Sequence, residues 1–340
     1  MENTTLRGEH SDIDQVFIEF WLRAKNNSTF WILDGPLNAI ICITVIILNI
    51  LFLIVLQRKE MRSVTSFVLS AIAVADLLRT LISLPVSLYI CVPYFKSYTP
   101  YHWCVYLKMP FLLVSNVFYT SSVWLTLYLG VFRYILVCHP IKAKLWCRYK
   151  IAIGVVILIF VISLFSYVCL LFMRKITRVV FWNEEEKRSV SSCFVDVVDT
   201  WHNYIFIQTI LEIIFVQIIP CVGMLFITCK LVYTLKSAAR SRKAMSRQLN
   251  RSRNESHQTT LLLIAILIAF LVFEIPHSVL QVFIILMINL HRYHFLLSYL
   301  RLFDTILIQI LYITSTFNFC IYCTMGTKFR LTLKKIMSFN

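Results

Sequence analysis

Long apolar stretches alternate with short polar segments along the whole chain. Seven of them reach the roughly 20 residues that a helix needs to cross a bilayer. Helices are the expected form, because barrel strands would be about half as long and would alternate in polarity. The pattern predicts an all-α membrane protein with a seven-transmembrane helix bundle. The stretches run Pro36–Gln57, Val64–Val92, Tyr106–Cys138, Tyr149–Met173, Asn203–Leu235, Thr259–Leu290 and Phe295–Thr324.

The overall composition agrees with a membrane protein. Of the 340 residues, 59% are hydrophobic and 15% are charged, whereas a soluble domain carries about 25% charged residues. One soluble core cannot hold that much apolar surface. We expect the bundle at residues 36–325, between an N-terminal tail at 1–35 and a tail at 326–340 that carries an amphipathic surface helix, Thr327–Met337.

The basic residues in the loops indicate the orientation of the chain in the membrane. More than half of the 33 lysines and arginines fall in loops that lie inside if the N-terminus is outside. The sequons at Asn3, Asn26 and Asn27 agree, since glycans are attached on the outer side. The net charge of +16 then faces anionic lipid, so no nucleic-acid partner is expected. The sequence predicts a multi-pass plasma-membrane protein with an extracellular N-terminus.

Two of the 11 cysteines stand apart from the others, which mostly lie within the apolar stretches. Cys104 is at the outer end of the third stretch, and Cys193 is in the long outer loop after the fourth. Both face an oxidising compartment, so a disulfide between them is expected, with Cys91 as a nearby competitor. No cysteine spacing is typical of a zinc site, and neither a metal nor a cofactor is expected.

Ionisable groups within the stretches are the first candidates for function, because an unpaired charge in the membrane is costly. Three carboxylates at middle to outer depth would each need a cation, either Arg79 or a cationic ligand. Neutral polar groups on the third and seventh stretches join them as candidate ligand contacts. The five candidates are Asp304, Glu212, Glu274, Gln309 and Asn116.

A second polar group lies at mid-membrane depth on four different stretches. It consists of Asn49, Asp76, Ser122 and Asn318. These residues either satisfy one another as buried polar groups or form a network that rearranges as a switch. Asp76 and Arg79 are three residues apart, so they share one helix face and can pair.

Residues at these depths resemble the rhodopsin-like G-protein-coupled receptors over the whole transmembrane length. The similar positions are Asn49, Leu69, Asp76, Cys104, Arg133, Tyr134, Cys193, Pro220, Phe270, Pro276, Asn318 and Tyr322. The resemblance also implies a sodium site at Asp76 and Ser122. Arg79, one turn away, supplies a competing cation, so no ion is expected there.

Three departures from the family pattern narrow the resemblance. Phe132 replaces the acid that usually precedes Arg133, Glu274 replaces a tryptophan, and Phe319 replaces a proline. Several of these departures recur in the invertebrate myosuppressin, sex-peptide and FMRFamide-like neuropeptide receptors. The nematode chemoreceptors that are most similar to these receptors share much of the pattern.

The resemblance implies a receptor and not an enzyme. A short amidated, cationic peptide would bind between the third, fifth, sixth and seventh helices, and the sixth would swing outward about Pro276. Arg133, with Tyr134 and Tyr322, would then meet a heterotrimeric G protein. Phe132 cannot hold Arg133 in a salt bridge, which predicts greater basal signalling than in Phe132→Asp.

Two other functions stay open from the sequence. One is a nematode-type chemoreceptor for a small molecule. The other is a transporter, which would show inverted repeats or helices interrupted by glycine and proline; with 6 Gly and 8 Pro the chain shows neither.

Overall fold

A computed structural model describes residues 29, 32–91, 109–183, 188–197, 207, 210–243, 251–289 and 294–338 of the protein. Several of the sequence predictions fall outside these residues: the three sequons, Cys104, and the side chain of Cys193. The predicted disulfide is therefore untested. Its competitor Cys91 is a free thiol.

Within the described residues, seven helical spans form the bundle, as the apolar pattern predicts. Six are single helices long and apolar enough to cross a membrane, and the seventh is a bent pair. We name the spans α1 to α7 and the tail helix α8. They are α1 (Asn38–Leu56, after a π-helical turn at Leu33–Leu37), α2 (Val64–Cys91), α3 (Met109–Cys138), α4 (Tyr149–Met173), α5 (Ile219–Lys243, after a π-helical segment at Ile213–Ile218), α6 (Arg251–Asn289), α7 (His294–Thr314 and Phe317–Met325) and α8 (Thr327–Met337).

The bundle is apolar outside and polar in places inside, which is the reverse of a soluble protein. Ile40, Ile157 and Phe165 are exposed on its surface, whereas Asn49 and Asp76 are buried within it. α2 packs between α1 and α3, and α3 also contacts α4 and α5. This arrangement matches a protein whose surface is covered by lipid.

α8 is docked onto the end of the bundle that we call the α8 end. Phe329 is 1% exposed, and its ring lies 5.6 Å from the ring of Phe52 and 5.6 Å from that of Tyr322. At Gly326, between α7 and α8, a Cβ atom would meet the Tyr322 carbonyl oxygen at 2.7 Å. The close approach of the chain there requires glycine.

α7 consists of two helical segments within the one apolar stretch that the sequence predicts. Its two segments differ in direction by 41°. At the break, the Ser315 and Thr316 hydroxyls donate to the carbonyl oxygens of Tyr312 and Ile313 at 2.6 and 2.7 Å. Side-chain hydroxyls that bond to the preceding turn compete with the helix ladder and bend it, so the bend forms without a proline.

The loop between α4 and α5 contains a β-hairpin, which the sequence pattern did not predict. β1 (Arg174–Asn183) pairs antiparallel with β2 (Arg188–Val197), and Arg178 lies opposite Cys193. We call this side of the bundle the hairpin end. A short helix at Pro140–Trp146 and a 3₁₀ turn at Lys59–Met61 lie in the loops at the α8 end.

Candidate ligand and switch site

The guanidinium of Arg79 is enclosed by two aromatic rings at the centre of the bundle. Its carbon lies 4.5 Å from the centre of the Tyr119 ring on α3 and 4.2 Å from that of Tyr312 on α7. Such cation–π contacts stabilise a desolvated guanidinium by about 2 kcal/mol each. Arg79 therefore holds α2, α3 and α7 together.

Glu274 on α6 joins the same arrangement. Its side chain is fully buried, and the Tyr119 hydroxyl donates a hydrogen bond to its Oε1 atom. Its Oε2 atom has no hydrogen-bond partner among the described residues. We call Arg79, Tyr119, Glu274 and Tyr312 the Arg79 cluster. It links four helices around one cation and one carboxylate.

The predicted pairing of Asp76 with Arg79 is not what the structure shows. The Ser122 hydroxyl donates to Asp76 Oδ1 at 2.7 Å, and no ion pair joins Asp76 to Arg79 in the described part of the chain. The spacing of three residues brings both to one face of α2. Ser122 satisfies the carboxylate, and the two tyrosine rings satisfy the guanidinium.

The four predicted mid-membrane polar residues do not form one continuous network. Asn49 donates to the carbonyl oxygen of Val45 on its own helix at 3.0 Å. Asn318 is buried and lines a cavity of about 40 Å³ together with Asp76, Ser122 and Arg79. The guanidinium thus shares the cavity in which the resemblance implies a sodium ion.

Asp304 on α7 lies in a separate polar group toward the hairpin end. The Gln281 amide of α6 donates to Asp304 Oδ1 at 2.7 Å, and His277 Nε2 lies 3.6 Å from the same oxygen. The Asp304 side chain is 20% exposed, whereas Glu274 is 0% exposed. Asp304 is therefore reachable from outside the bundle, and Glu274 is not.

The other candidate ligand contacts are dispersed. Glu212 accepts a hydrogen bond from the Tyr167 hydroxyl at 2.7 Å, in a cavity between α3, α4 and α5. Gln309 is buried and donates to the carbonyl oxygen of Leu33, which joins α7 to the start of α1. Asn116 is exposed on α3. The structure does not bring the five predicted residues into one site.

Arg133 lies at the α8 end, where α3 meets a cavity of about 370 Å³. Arg62, Tyr322, Lys328 and Phe329 also line this cavity. The Arg133 Nε atom is buried and makes no hydrogen bond within the described chain. This N–H group can therefore donate a hydrogen bond to a new partner without first breaking a hydrogen bond within the described chain.

The neighbours of Arg133 differ in how they are placed. Phe132 is 4% exposed and packs edge-on against Tyr128 at 6.2 Å. Tyr134 packs edge-on against His139 at 5.5 Å. The buried Phe132 is therefore a packing residue of α3. Near the same arginine, burial raises the pKa of the Cys147 thiol, and the positive charge of Arg133 acts in the opposite direction.

A protein-family comparison identifies the chain. The model of the serpentine-type seven-transmembrane G-protein-coupled chemoreceptors called Srw matches residues 36–340. The chain belongs to the Srw receptor family. The protein is therefore a G-protein-coupled receptor and a multi-pass membrane protein, as the sequence resemblance indicated.

Curated relatives of this Srw receptor include two from Drosophila melanogaster. The sex peptide receptor is 29% identical in an alignment that covers 92% of this chain and 76% of the relative. The FMRFamide receptor is 26% identical in an alignment that covers 91% of this chain and 54% of the relative. The Caenorhabditis elegans sex peptide receptor-related protein 2 is 26% identical in an alignment that covers 88% of this chain and 70% of the relative. These names support the neuropeptide-receptor branch that the sequence resembles.

Sequence reasoning missed the partners of the charged groups in this receptor. Tyr119 and Tyr312 enclose Arg79, Tyr167 binds Glu212, and Gln281 binds Asp304. The available signal was the cost of a charge in an apolar helix, which requires polar or aromatic neighbours. That signal shows that partners exist but does not identify them.

Proposed function

We propose that this receptor binds a short, amidated, cationic peptide at its hairpin end and activates a heterotrimeric G protein at its α8 end. The hairpin end would be extracellular and the receptor would lie in the plasma membrane. The names of the relatives support a peptide ligand. The observation that carries the proposal is the accessible carboxylate of Asp304, already held by Gln281 of α6.

Asp304 is the carboxylate that suits a peptide guanidinium. An arginine side chain can form two parallel hydrogen bonds with a carboxylate. Glu274 is fully buried beside the receptor's own Arg79, and Glu212 lines a different cavity. The proposal therefore narrows the three candidate carboxylates to one for direct contact.

The same carboxylate offers a route from the ligand to α6. Asp304 is bonded to Gln281 and lies near His277, and both of these are on the α6 segment that follows Pro276. A guanidinium on Asp304 would compete with these contacts and favour a different position of α6. A ligand shifts the equilibrium only through such differential contacts.

The residues between the two ends would carry the change. Outward movement of α6 about Pro276 would separate Glu274 from Tyr119 and widen the cavity near Arg133. That movement would also change the packing of Asp76 on α2 and of Asn318 on α7. Arg133, Tyr134 and Tyr322 would then contact the G protein, whose nucleotide exchange is the output.

The test is a cell-based calcium or cAMP assay with an amidated peptide library that includes Arg-Phe-amide peptides. An active peptide is then paired with a version in which citrulline replaces arginine. In the wild type we expect the arginine peptide to be at least about tenfold more potent, because a charged hydrogen bond contributes about 1.5–3 kcal/mol. Asp304→Asn should remove most of that difference.

Glu212→Gln serves as the matched control, because it neutralises a carboxylate in a different cavity. It should preserve the preference for arginine. If Asp304→Asn keeps the full preference, the assignment of Asp304 is wrong. If the whole peptide library is inactive and a small-molecule library activates the receptor, the peptide proposal is wrong. The receptor is then a chemoreceptor, which is how its family is described.

A further inference from the structure

A cavity of about 460 Å³ lies between α3, α4 and α5, apart from the Arg79 cluster and from Asp304. Its volume falls within the roughly 300–1,000 Å³ of small-molecule sites. Ile162 and Phe215 line it and are 56% and 52% exposed. Exposed apolar side chains on membrane helices face lipid, so the cavity opens toward the bilayer.

A chain of hydrogen bonds reaches the Glu212 carboxylate in this cavity. The Tyr167 hydroxyl donates to Glu212 Oε1 at 2.7 Å, and the Thr120 hydroxyl lies 3.0 Å from the Tyr167 oxygen. Because the single Tyr167 proton goes to Glu212, Thr120 must be the donor in the second bond. Thr120 and Tyr167 are 5% and 3% exposed, so two buried groups orient Glu212.

The backbone beside Glu212 is also specialised. A π-helical segment, Ile213–Ile218, begins directly after Glu212 and supplies Phe215 and Val216 to the cavity wall. Segments of π-helix are rare and occur frequently at functional sites. The wider turn places a carboxylate and two wall residues on the same cavity.

We propose that this cavity binds a lipophilic amine that enters from the bilayer. Its apolar body would lie against Trp124, Ile159 and Phe215, and its ammonium group would bind Glu212. A carboxylate that Tyr167 orients toward an apolar cavity complements a cation, and in a membrane interior such a pair is weakly screened. The site would be distinct from the peptide site at Asp304.

The test uses purified receptor in phosphatidylcholine nanodiscs and three probes with the same twelve-carbon chain. Dodecylamine, dodecanol and dodecanoate are each titrated at equal mole fractions in the lipid, and the melting temperature is recorded. Dodecylamine should raise the Tm by several degrees and saturate. Dodecanol should give a smaller increase, and dodecanoate should give none because its carboxylate repels Glu212.

Two pairs of variants locate the effect. Glu212→Gln should remove the difference between the amine and the alcohol, whereas Asp304→Asn should keep it. Ile162→Trp fills the cavity and should abolish the amine effect. Val161→Trp is the matched control, because Val161 is also 56% exposed but does not line the cavity.

Three results would overturn the proposal. One is equal stabilisation by dodecylamine and dodecanol, which would indicate a groove for neutral lipid chains. The second is an amine effect that survives Glu212→Gln. The third is an equal loss in Val161→Trp and Ile162→Trp, since that would place the amine in the surrounding lipid.

Discussion

Two arginines lie inside the helical bundle, and their surroundings differ. Arg79 is enclosed by the rings of Tyr119 and Tyr312, and Tyr119 also binds the buried Glu274. Arg133 lines an open cavity at the α8 end, and its buried Nε atom has no described hydrogen-bond partner. Both charges are costly in an apolar bundle. For Arg79, the rings of Tyr119 and Tyr312 offset that cost.

The comparison distinguishes a restraint from a contact surface. The Arg79 cluster ties α6 to α2, α3 and α7, so it stabilises one position of α6. Under the proposed function, Arg133 would bind a group of the G protein that arrives when α6 moves. A receptor needs both kinds of site, because a signal requires one set of contacts that can be broken and another that can form.

The largest effect is expected from Arg79→Met. Removing the guanidinium leaves Glu274 buried without a nearby cation, and breaking a buried charge arrangement costs about 3 kcal/mol. We expect less receptor at the cell surface and a lower Tm in nanodiscs. Arg133→Met is the matched control and should change the Tm much less, because the buried Arg133 Nε atom makes no hydrogen bond within the described chain.

The double variant Arg79→Met with Glu274→Gln tests the cause of that loss. Replacing the carboxylate by a neutral amide removes the uncompensated charge, so most of the lost Tm should return. If Glu274→Gln gives no rescue, the arginine acts through packing alone. If Arg79→Met melts like the wild type, the cluster does not hold the helices together.

A smaller effect is expected from Tyr119→Phe. The ring that covers Arg79 remains, and only the hydroxyl that binds Glu274 is lost. One hydrogen bond contributes about 1 kcal/mol, so basal signalling should rise about fivefold as α6 is released. In a Glu274→Leu background, which offers no acceptor at this position, the same substitution should have much less effect, and an equal rise in both backgrounds would show that the bond to Glu274 is not the restraint.

Most of the bundle could be predicted from the apolar pattern. α4 spans Tyr149–Met173 and α8 spans Thr327–Met337, as the sequence indicated. The bend in α7 could not be predicted, since it depends on Ser315 and Thr316 bonding to their own backbone. Nor could the hairpin, because the apolar residues of its strands come in runs such as Val179–Trp182 and do not alternate clearly with polar residues.

The candidate site was predictable in residue types but not in pairings. A helical spacing identifies neighbours on one helix, and it suggested that Asp76 pairs with Arg79. The actual partners come from other helices: Ser122 for Asp76, and two tyrosines for Arg79. The packing of the whole bundle decides which faces of the four helices meet. The spacing of residues along one helix does not reveal those contacts.

The smallest effect is expected beside Arg133, from Phe132→Asp. An acid at position 132 would sit beside Arg133 and restrain it, so Phe132→Asp should signal less in the basal state than the wild type. Phe132 is also buried against Tyr128, and Phe132→Asp loses that packing as well. Phe132→Asn separates the two effects because it removes the ring without adding a charge.

The measurement is basal cAMP or calcium at matched surface expression. Phe132→Asp should signal about twofold less than Phe132→Asn, since a partly exposed ion pair contributes about 0.2–1 kcal/mol. If the two variants signal equally, an adjacent acid does not reach Arg133. The contrast between the arginines would then rest on the enclosure of Arg79, with the availability of Arg133 set by the shape of its cavity and independent of residue 132.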